Sequence, residues 1–225
     1  MIAFENKPQI GQGIYTLRDA ATILHLPYDK VHRYVTKYWD GKLGEEFQSP
    51  YSWLIEGSRA VSFHTVVELY VMIQLAEKGV RTAEVLKAHK KLGVFYNTHF
   101  PFAQKQVLQE IKTDGKLIYW KNGDDVISLN GSDQFNLEII SVFFKKLDFG
   151  EEDVVSKLWP MGKEHAIVID PSRKFGHPII EGKNIYLETI FEHFQAGDPV
   201  PYIAHIYKIT EKEAEDAIAF CKNAA

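Results

Sequence analysis

The sequence has little of several features that would indicate covalent or membrane chemistry. Cys221 is its one cysteine among 225 residues, so neither an intramolecular disulfide nor a cluster of cysteine metal ligands can form. It has no run of 18 apolar residues and no basic-then-apolar segment at its start, which predicts a cytoplasmic protein with no membrane span. The formal net charge is only −4, so overall charge does not indicate a nucleic-acid partner.

Groups that could perform catalysis are also scarce. The nine histidines include no His-x3-His or His-Glu-x2-His pair, the spacings with which one helix binds zinc. The acidic pairs at 124–125 and 151–153 fall in a predicted hairpin turn and a polar linker, where carboxylates are usually solvated. We therefore expect a protein that is not an enzyme and that uses no cofactor or metal.

The stretch from Ile14 to Val35 is typical of a helix-turn-helix. Thr16 can cap a first helix, and the residues 25–27, His-Leu-Pro, end it before a second helix begins. The apolar positions predicted to face inward are Ala20, Ala21, Leu24, Val31, Tyr34 and Val35. The outer face of the second helix carries Lys30, His32, Arg33 and Lys37. A short helix with outward cations is the form that enters a DNA major groove, although a helical hairpin with a solvated basic face has the same pattern.

After the second helix, residues 39–44 are Gly-rich and are predicted to be irregular. Two β-prone runs follow, 51–55 and 59–63, around the turn Glu56-Gly-Ser. A hairpin directly after a recognition helix is a wing, and Arg59 is expected near its tip, within reach of a phosphate. The predicted DNA contacts are therefore phosphate contacts by Lys30, Arg33, Lys37 and Arg59 and base contacts by Tyr28 and His32. Two amphipathic helices, capped by Ser62 and beginning near Thr82, complete this N-terminal part.

Residues 93–165 are predicted to form an α+β connector. A strand pair at 117–120 and 126–129 surrounds an Asn-Gly turn, and a helix is expected from 135 to 146. Phe95, Phe100, Phe102 and the helix around Phe143 have no evident catalytic use, so we expect them to form a homodimer contact.

Residues 166–225 are predicted to form a second trihelical unit, with helices at 187–195, 200–207 and 211–221. The helix in the recognition position carries the carboxylates Glu211, Glu213, Glu215 and Asp216. These charges would repel phosphate and favour a basic protein surface. The alternative is an acidic, solvated helix that only caps a stable domain.

At these residues the chain resembles a known family. The segment Phe175-Gly-His-Pro-Ile-Ile-Glu-Gly, then Ala196-Gly197, 203–207 and 214–220, is similar to a small module of unknown function found in VapB-type antitoxins. Residues 1–92 resemble a MerR-like winged helix, and the segments near 113–116, 146–149 and 158–160 resemble the joint in longer members that fuse the two. Asn184 stands where that family has arginine, Lys183 can supply the missing charge, and Tyr186 replaces a proline.

The resemblance implies an antitoxin that represses its own operon and neutralises a PIN-like ribonuclease toxin. Lys183 and the four carboxylates would contact that partner. A free-standing MerR-like regulator and a non-DNA assembly adaptor are the alternatives. The sequence thus predicts a mainly α, α+β protein of three parts: a winged helix-turn-helix at 1–92, a connector at 93–165 and a trihelical module at 166–225.

Overall fold

The structure, a computed structural model, is an α+β fold with small antiparallel sheets, as the sequence predicts. It describes residues 11–45, 49–77, 79–113, 118–122, 125–128 and 144–223, with the backbone alone for 110–128. No helix within these ranges is long and apolar enough to cross a membrane.

Eight α-helices lie in the described ranges. They are α1 (Leu17–Leu24), α2 (Tyr28–Tyr34), α3 (Phe63–Glu77), α4 (Thr82–Tyr96), α5 (Lys105–Glu110), α6 (Leu187–Gln195), α7 (Val200–Tyr207) and α8 (Glu211–Asn223). A π-helix spans Val35–Gly44, and 3-10 turns lie at Pro101–Ala103 and Lys174–Gly176. The strands are β1 (Ile14–Thr16), β2 (Ser52–Ile55), β3 (Ser58–Ser62), β4 (Ile111–Thr113), β5 (Ile118–Asn122), β6 (Asp125–Ser128), β7 (Leu147–Phe149), β8 (Val155–Leu158), β9 (Ile167–Val168) and β10 (Ile179–Ile180). They pair antiparallel in the orders β1-β3-β2, β4-β5-β6, β7-β8 and β9-β10.

The turn between α1 and α2 is fixed at both ends by local chemistry. Thr16 and Asp19 form a capping box: the Asp19 N–H donates to Thr16 Oγ1 at 3.1 Å, and the Thr16 N–H donates to Asp19 Oδ2 at 2.8 Å. This satisfies two amides that the first turn leaves without helical partners. His25 ends α1 in the left-handed region at φ 51°, and Pro27 precedes the first turn of α2.

The chain after α2 differs from its prediction. The sequence predicts an irregular segment from Trp39 to Gly44, but the π-helix continues α2 without a break. The physical reason is packing, because Val35, Trp39 and Leu43 recur every four residues and are completely buried. Two glycines and an Asp in this segment favour irregular structure locally, and the burial of these three side chains outweighs that preference.

A buried pair of ionisable side chains joins α3 to α4. Glu68 Oε2 lies 2.8 Å from His89 Nε2, and both side chains are almost fully buried. This short contact does not have the geometry of a hydrogen bond. Glu68 Oε1 accepts a 2.7 Å hydrogen bond from the Phe102 N–H. Burial raises the pKa of Glu68, and the contacts with His89 and with the 3-10 turn only partly offset it.

Phe102 therefore does not have its predicted role in a dimer contact. It is completely buried, with its ring 5.3 Å from the ring of His89. Phe100 is half-buried against Tyr51, whereas Phe95 is 56% exposed. Phe143 and most of the helix predicted at 135–146 lie outside the described residues. The predicted hairpin is present as β5 and β6.

The C-terminal elements α6, α7 and α8 have close to their predicted bounds. They enclose their own core, centred on Leu187, Ile190, Ile203 and Phe220. A larger core runs from Tyr15 to Ile169 and includes residues on both sides of position 92. The boundary at 92 stays a prediction, and the first two predicted parts share one interior. Phe220 of α8 contacts His25 at the end of α1, with ring centroids 5.3 Å apart.

We predict that Glu68→Ala lowers the free energy of unfolding by about 3 kcal/mol or more, because it removes the carboxyl group that contacts buried His89 and leaves the Phe102 amide buried without its acceptor. Glu68→Gln should cost less, since its carbonyl can still accept from Phe102. The raised pKa means that folding favours protonated Glu68. This stabilisation is present below the ordinary pKa of 4.5 and is lost as pH rises through the folded value.

Urea unfolding at several pH values measures both effects. Glu68→Gln should show a weaker decline of stability with rising pH than the parent. Equal stability of Glu68→Ala and the parent would contradict the importance of this pair.

Candidate nucleic-acid and partner surfaces

The outer face of α2 presents the side chains that the sequence singles out. His32, Arg33 and Lys37 are exposed, and Tyr28 is 44% exposed. Lys30 is half-buried, and its Nζ donates to Glu77 Oε1 at 3.2 Å. An ion pair this accessible to solvent stabilises by about 1 kcal/mol or less, so Lys30 can exchange Glu77 for another anion at small cost.

A groove separates α2 from the β2–β3 hairpin. Its volume is about 570 Å³, and it is lined by Thr16, Leu17, Arg18, Tyr28, His32, Leu54, Gly57, Ser58 and Arg59. Three of the six predicted DNA contacts line this groove, Tyr28 and His32 from α2 and Arg59 from β3. The helix and the hairpin therefore lie beside one shared space.

Arg18 also lines this groove, and it is not among the DNA contacts predicted from the sequence. It is exposed in the first turn of α1, and its guanidinium carbon lies 5.7 Å from the centre of the Tyr28 ring. A cation over an aromatic face is attracted by the ring quadrupole. The capping box of Thr16 and Asp19 was the available signal, because it fixes the first turn and so directs Arg18 outward.

Arg59 is not the free cation at the hairpin tip that the sequence predicts. It follows the turn by one residue, but its Nη1 donates to Asp40 Oδ2 at 2.8 Å and to Ser52 Oγ at 2.6 Å. The other oxygen of Asp40 accepts from the N–H groups of Tyr51 and Ser52. Asp40 needs a cation because it is mostly buried between the π-helix and the hairpin. Arg59 thus attaches the hairpin to the helix.

The hairpin tip is apolar. Leu54 is 68% exposed and Ile55 is also exposed, next to the turn at Glu56 and Gly57. Because the Arg59 guanidinium is bonded to Asp40, the hairpin tip presents apolar surface and little positive charge.

The acidic residues of α8 divide into two kinds. Glu211 and Glu215 are exposed, as a partner surface requires. Glu213 instead forms a capping box with Thr210, accepting from its N–H at 2.6 Å while the Glu213 N–H donates to Thr210 Oγ1.

Asp216 is not on the predicted partner surface at all. It is buried, 2.7 Å from His165 Nδ1, and accepts a 2.9 Å hydrogen bond from the Ala166 N–H. The physical reason is helical geometry: position 216 lies on the face of α8 that packs toward β9. A carboxylate there is stable only because these donors satisfy it.

Lys183 and its neighbours have internal partners as well. Lys183 Nζ donates to the Lys208 carbonyl at 3.1 Å, at the end of α7. Arg173 donates to the Lys183 carbonyl and to Asn184 Oδ1, both at 2.9 Å. The arginine expected at 184 is thus absent, and a guanidinium from position 173 reaches the same loop. Lys174 lies 4.6 Å from the ring centre of Tyr186, which precedes α6.

Within the described ranges, no group of three or more His, Cys, Asp or Glu side chains could hold a metal ion. Burial, together with the nearby Glu188, raises the pKa of Cys221 to about 12. A thiol with such a pKa carries almost no thiolate at neutral pH and is a poor nucleophile.

Comparisons with known proteins place this chain near antitoxins. Residues 167–221 match the family described as a protein of unknown function, DUF433. The candidate antitoxin VapB45 of Mycobacterium tuberculosis is 22% identical over 164 residues, which are 62% of this chain and 68% of VapB45. The crystal structure of Rv2018 from Mycobacterium tuberculosis is similar with a TM-score of 0.66 and 17% identity. That similarity covers 91% of this chain and 96% of Rv2018, and it supports the overall fold.

We predict that Arg59→Ala lowers the free energy of unfolding by about 1–2 kcal/mol, because it leaves the Asp40 carboxylate without its cation. Arg33→Ala, which removes an exposed cation, is the matched control and should change stability by no more than about 0.5 kcal/mol. Urea unfolding measures both. Equal stability of the two variants would show that the Asp40 contact does not hold the hairpin.

Proposed function

We propose that this protein is an antitoxin of a toxin–antitoxin system that binds operator DNA through its N-terminal part and a toxin through its C-terminal module. Its role is regulatory and non-catalytic. Support comes from its similarity to VapB45 and from the DUF433 match, which covers the C-terminal module. The observation that carries the DNA half of the proposal is the set of cations Lys30, Arg33 and Lys37 on α2 and its π-helical continuation, where α2 also lines a groove bounded by a hairpin.

In this proposal α1 and α2 form a MerR-like helix-turn-helix, and β2 and β3 form its wing. Tyr28 and His32 lie toward the N-terminal end of α2, the end that contacts base edges in such proteins. Their rings lie 5.8 Å apart. Arg33 and Lys37 follow on the same side and contact phosphates, as does Lys30 when it leaves Glu77.

Three further groove residues have different roles. Arg18 adds a cation opposite the wing, and the apolar wing tip contacts the sugar-phosphate surface through Leu54. Arg59 acts indirectly, because its bond with Asp40 fixes the angle between the wing and the recognition helix.

We also propose that the protein is a homodimer that occupies two half-sites. The exposed end of α4 is the candidate contact. Val94 is 79% exposed beside Phe95, and two adjacent apolar side chains with this exposure are typical of an interaction site.

The C-terminal module is the proposed toxin-binding part, and a PIN-like ribonuclease is the proposed partner. Glu211 and Glu215 are exposed and suit a basic surface. Tyr202 and Ile206, four residues apart on α7, are 52% and 41% exposed. They supply the apolar contact that the centre of a protein interface usually needs.

We predict that Lys30→Ala combined with Arg33→Ala weakens binding to duplex DNA. The slope of log K against the logarithm of the salt concentration should become shallower by about 1.8, because each lost phosphate contact removes about 0.9 from it. Fluorescence anisotropy between 50 and 300 mM salt, with duplex DNA from upstream of the coding sequence, measures both quantities. Lys222→Gln, in the C-terminal module, is the control and should leave the slope unchanged. An unchanged slope in the double variant would refute the assignment of α2.

We predict that Glu211→Lys combined with Glu215→Lys weakens binding to the toxin encoded beside this protein at least tenfold, because attraction at two positions becomes repulsion. Glu181→Lys is the control, since Glu181 is exposed in the same module but outside α8. Calorimetry with the full-length protein measures the affinity, and circular dichroism confirms that the variants fold. Equal affinity for the double variant and the control would contradict the role of α8.

A further inference from the structure

The π-helix has two sides of opposite character. Val35, Trp39 and Leu43 face the core and are completely buried. Lys37 and Lys42 are exposed on the other side, with Tyr38 half-buried between them. A π-helix of this length is rare, and π-helical turns occur frequently at functional sites.

The π-helical geometry brings the two lysines together. Its backbone hydrogen bonds join residues five apart, so positions 37 and 42 lie near each other on successive turns. Lys37 Nζ is 5.7 Å and Lys42 Nζ is 5.9 Å from the centre of the Tyr38 ring. Both ammonium groups therefore lie beside one aromatic ring. We call Lys37, Tyr38 and Lys42 the π-helix patch.

The patch is continuous with the recognition face of α2. The Tyr38 ring packs edge-on against the Tyr34 ring, with centroids 5.3 Å apart. The Arg33 guanidinium carbon lies 5.8 Å from the centre of that second ring. Two tyrosine rings thus support three cations along one side of a continuous helix. Cations already positioned by neighbouring rings lose less side-chain entropy when they bind an anion.

We infer that the π-helix patch binds a phosphate of the DNA backbone outside the groove that α2 enters, and that Lys42 is an additional DNA contact. This inference rests on the proposed DNA binding of α2. Tyr28 and Lys37 are nine residues apart, or about 13 Å along a helix. That span exceeds the roughly 12 Å width of the major groove. When the start of α2 reads bases, the patch therefore lies at the backbone beyond them.

The test measures binding of the full-length protein to a 30-base-pair duplex from upstream of its coding sequence. Fluorescence anisotropy gives the affinity across the same salt range as above. Lys42→Gln should reduce the salt dependence of log K by about 0.9, as expected for one lost phosphate contact. Lys222→Gln is the matched control, because Lys222 Nζ also lies over an aromatic ring, 4.4 Å from the centre of Phe194, but in the C-terminal module. It should bind like the parent.

A shorter duplex tests where the contact of the patch lies on the DNA. Shortening the duplex to the segment that α2 covers should abolish the difference between Lys42→Gln and the parent, because the phosphate contacted by the patch is then missing.

The outcomes distinguish the two levels of the proposal. If the parent binds DNA and Arg33→Ala lowers the slope while Lys42→Gln does not, the patch inference is wrong and the DNA-binding function stands. If Lys42→Gln weakens toxin binding and leaves DNA binding unchanged, the patch contacts protein and the inference is also wrong. If the parent does not bind duplex DNA, the proposed DNA-binding function itself fails.

Discussion

The contact between Glu68 and His89 is the constraint on which the N-terminal half depends. It joins α3 to α4, and the second oxygen of Glu68 holds the 3-10 turn through the Phe102 amide. The rings of Trp39 and Tyr51 pack around the same imidazole, at 6.0 and 6.3 Å. Two buried ionisable groups are costly unless they satisfy each other. Their pairing therefore constrains where the π-helix and the start of the β2–β3 hairpin can lie.

Asp40 connects these buried residues to the β2–β3 hairpin at the surface. It follows Trp39 directly, and its carboxylate binds the backbone at Tyr51 and Ser52 and the guanidinium of Arg59. One carboxylate thus connects the π-helix to both strands of the β2–β3 hairpin. The width of the groove beside Tyr28 follows from these buried contacts, since the groove residues themselves are largely exposed. A cation that supports the geometry of a binding surface is as necessary as one that touches the ligand.

The C-terminal module shows how similar charges can have different roles on one helix. Glu213 stabilises the first turn of α8 by capping it, and Asp216 ties the helix to residues 165 and 166. Only Glu211 and Glu215 are left with the exposure that a partner surface needs. These differences follow from the helical period of 3.6 residues, because carboxylates close together in the sequence then point to different sides of α8.

The sequence by itself determined the local elements: the helix cap at Thr16, the break before Tyr28, the hairpin around Gly57 and the three C-terminal helices. Each depends on residues close together in the chain, so propensity and periodicity were sufficient to predict it. It also indicated the exposed cations of α2, because an amphipathic helix has one polar face.

Only the tertiary structure decided which charged side chains are available for binding. Arg59 and Asp40 are 19 residues apart in sequence, and Asp216 and His165 are 51 apart. Local patterns do not specify such contacts, because they arise when distant elements pack and a buried carboxylate has to find a donor. The same holds for the π-helix, where burial of Trp39 and Leu43 against the core overrode a sequence that locally favours a loop, and so brought Lys42 next to Lys37.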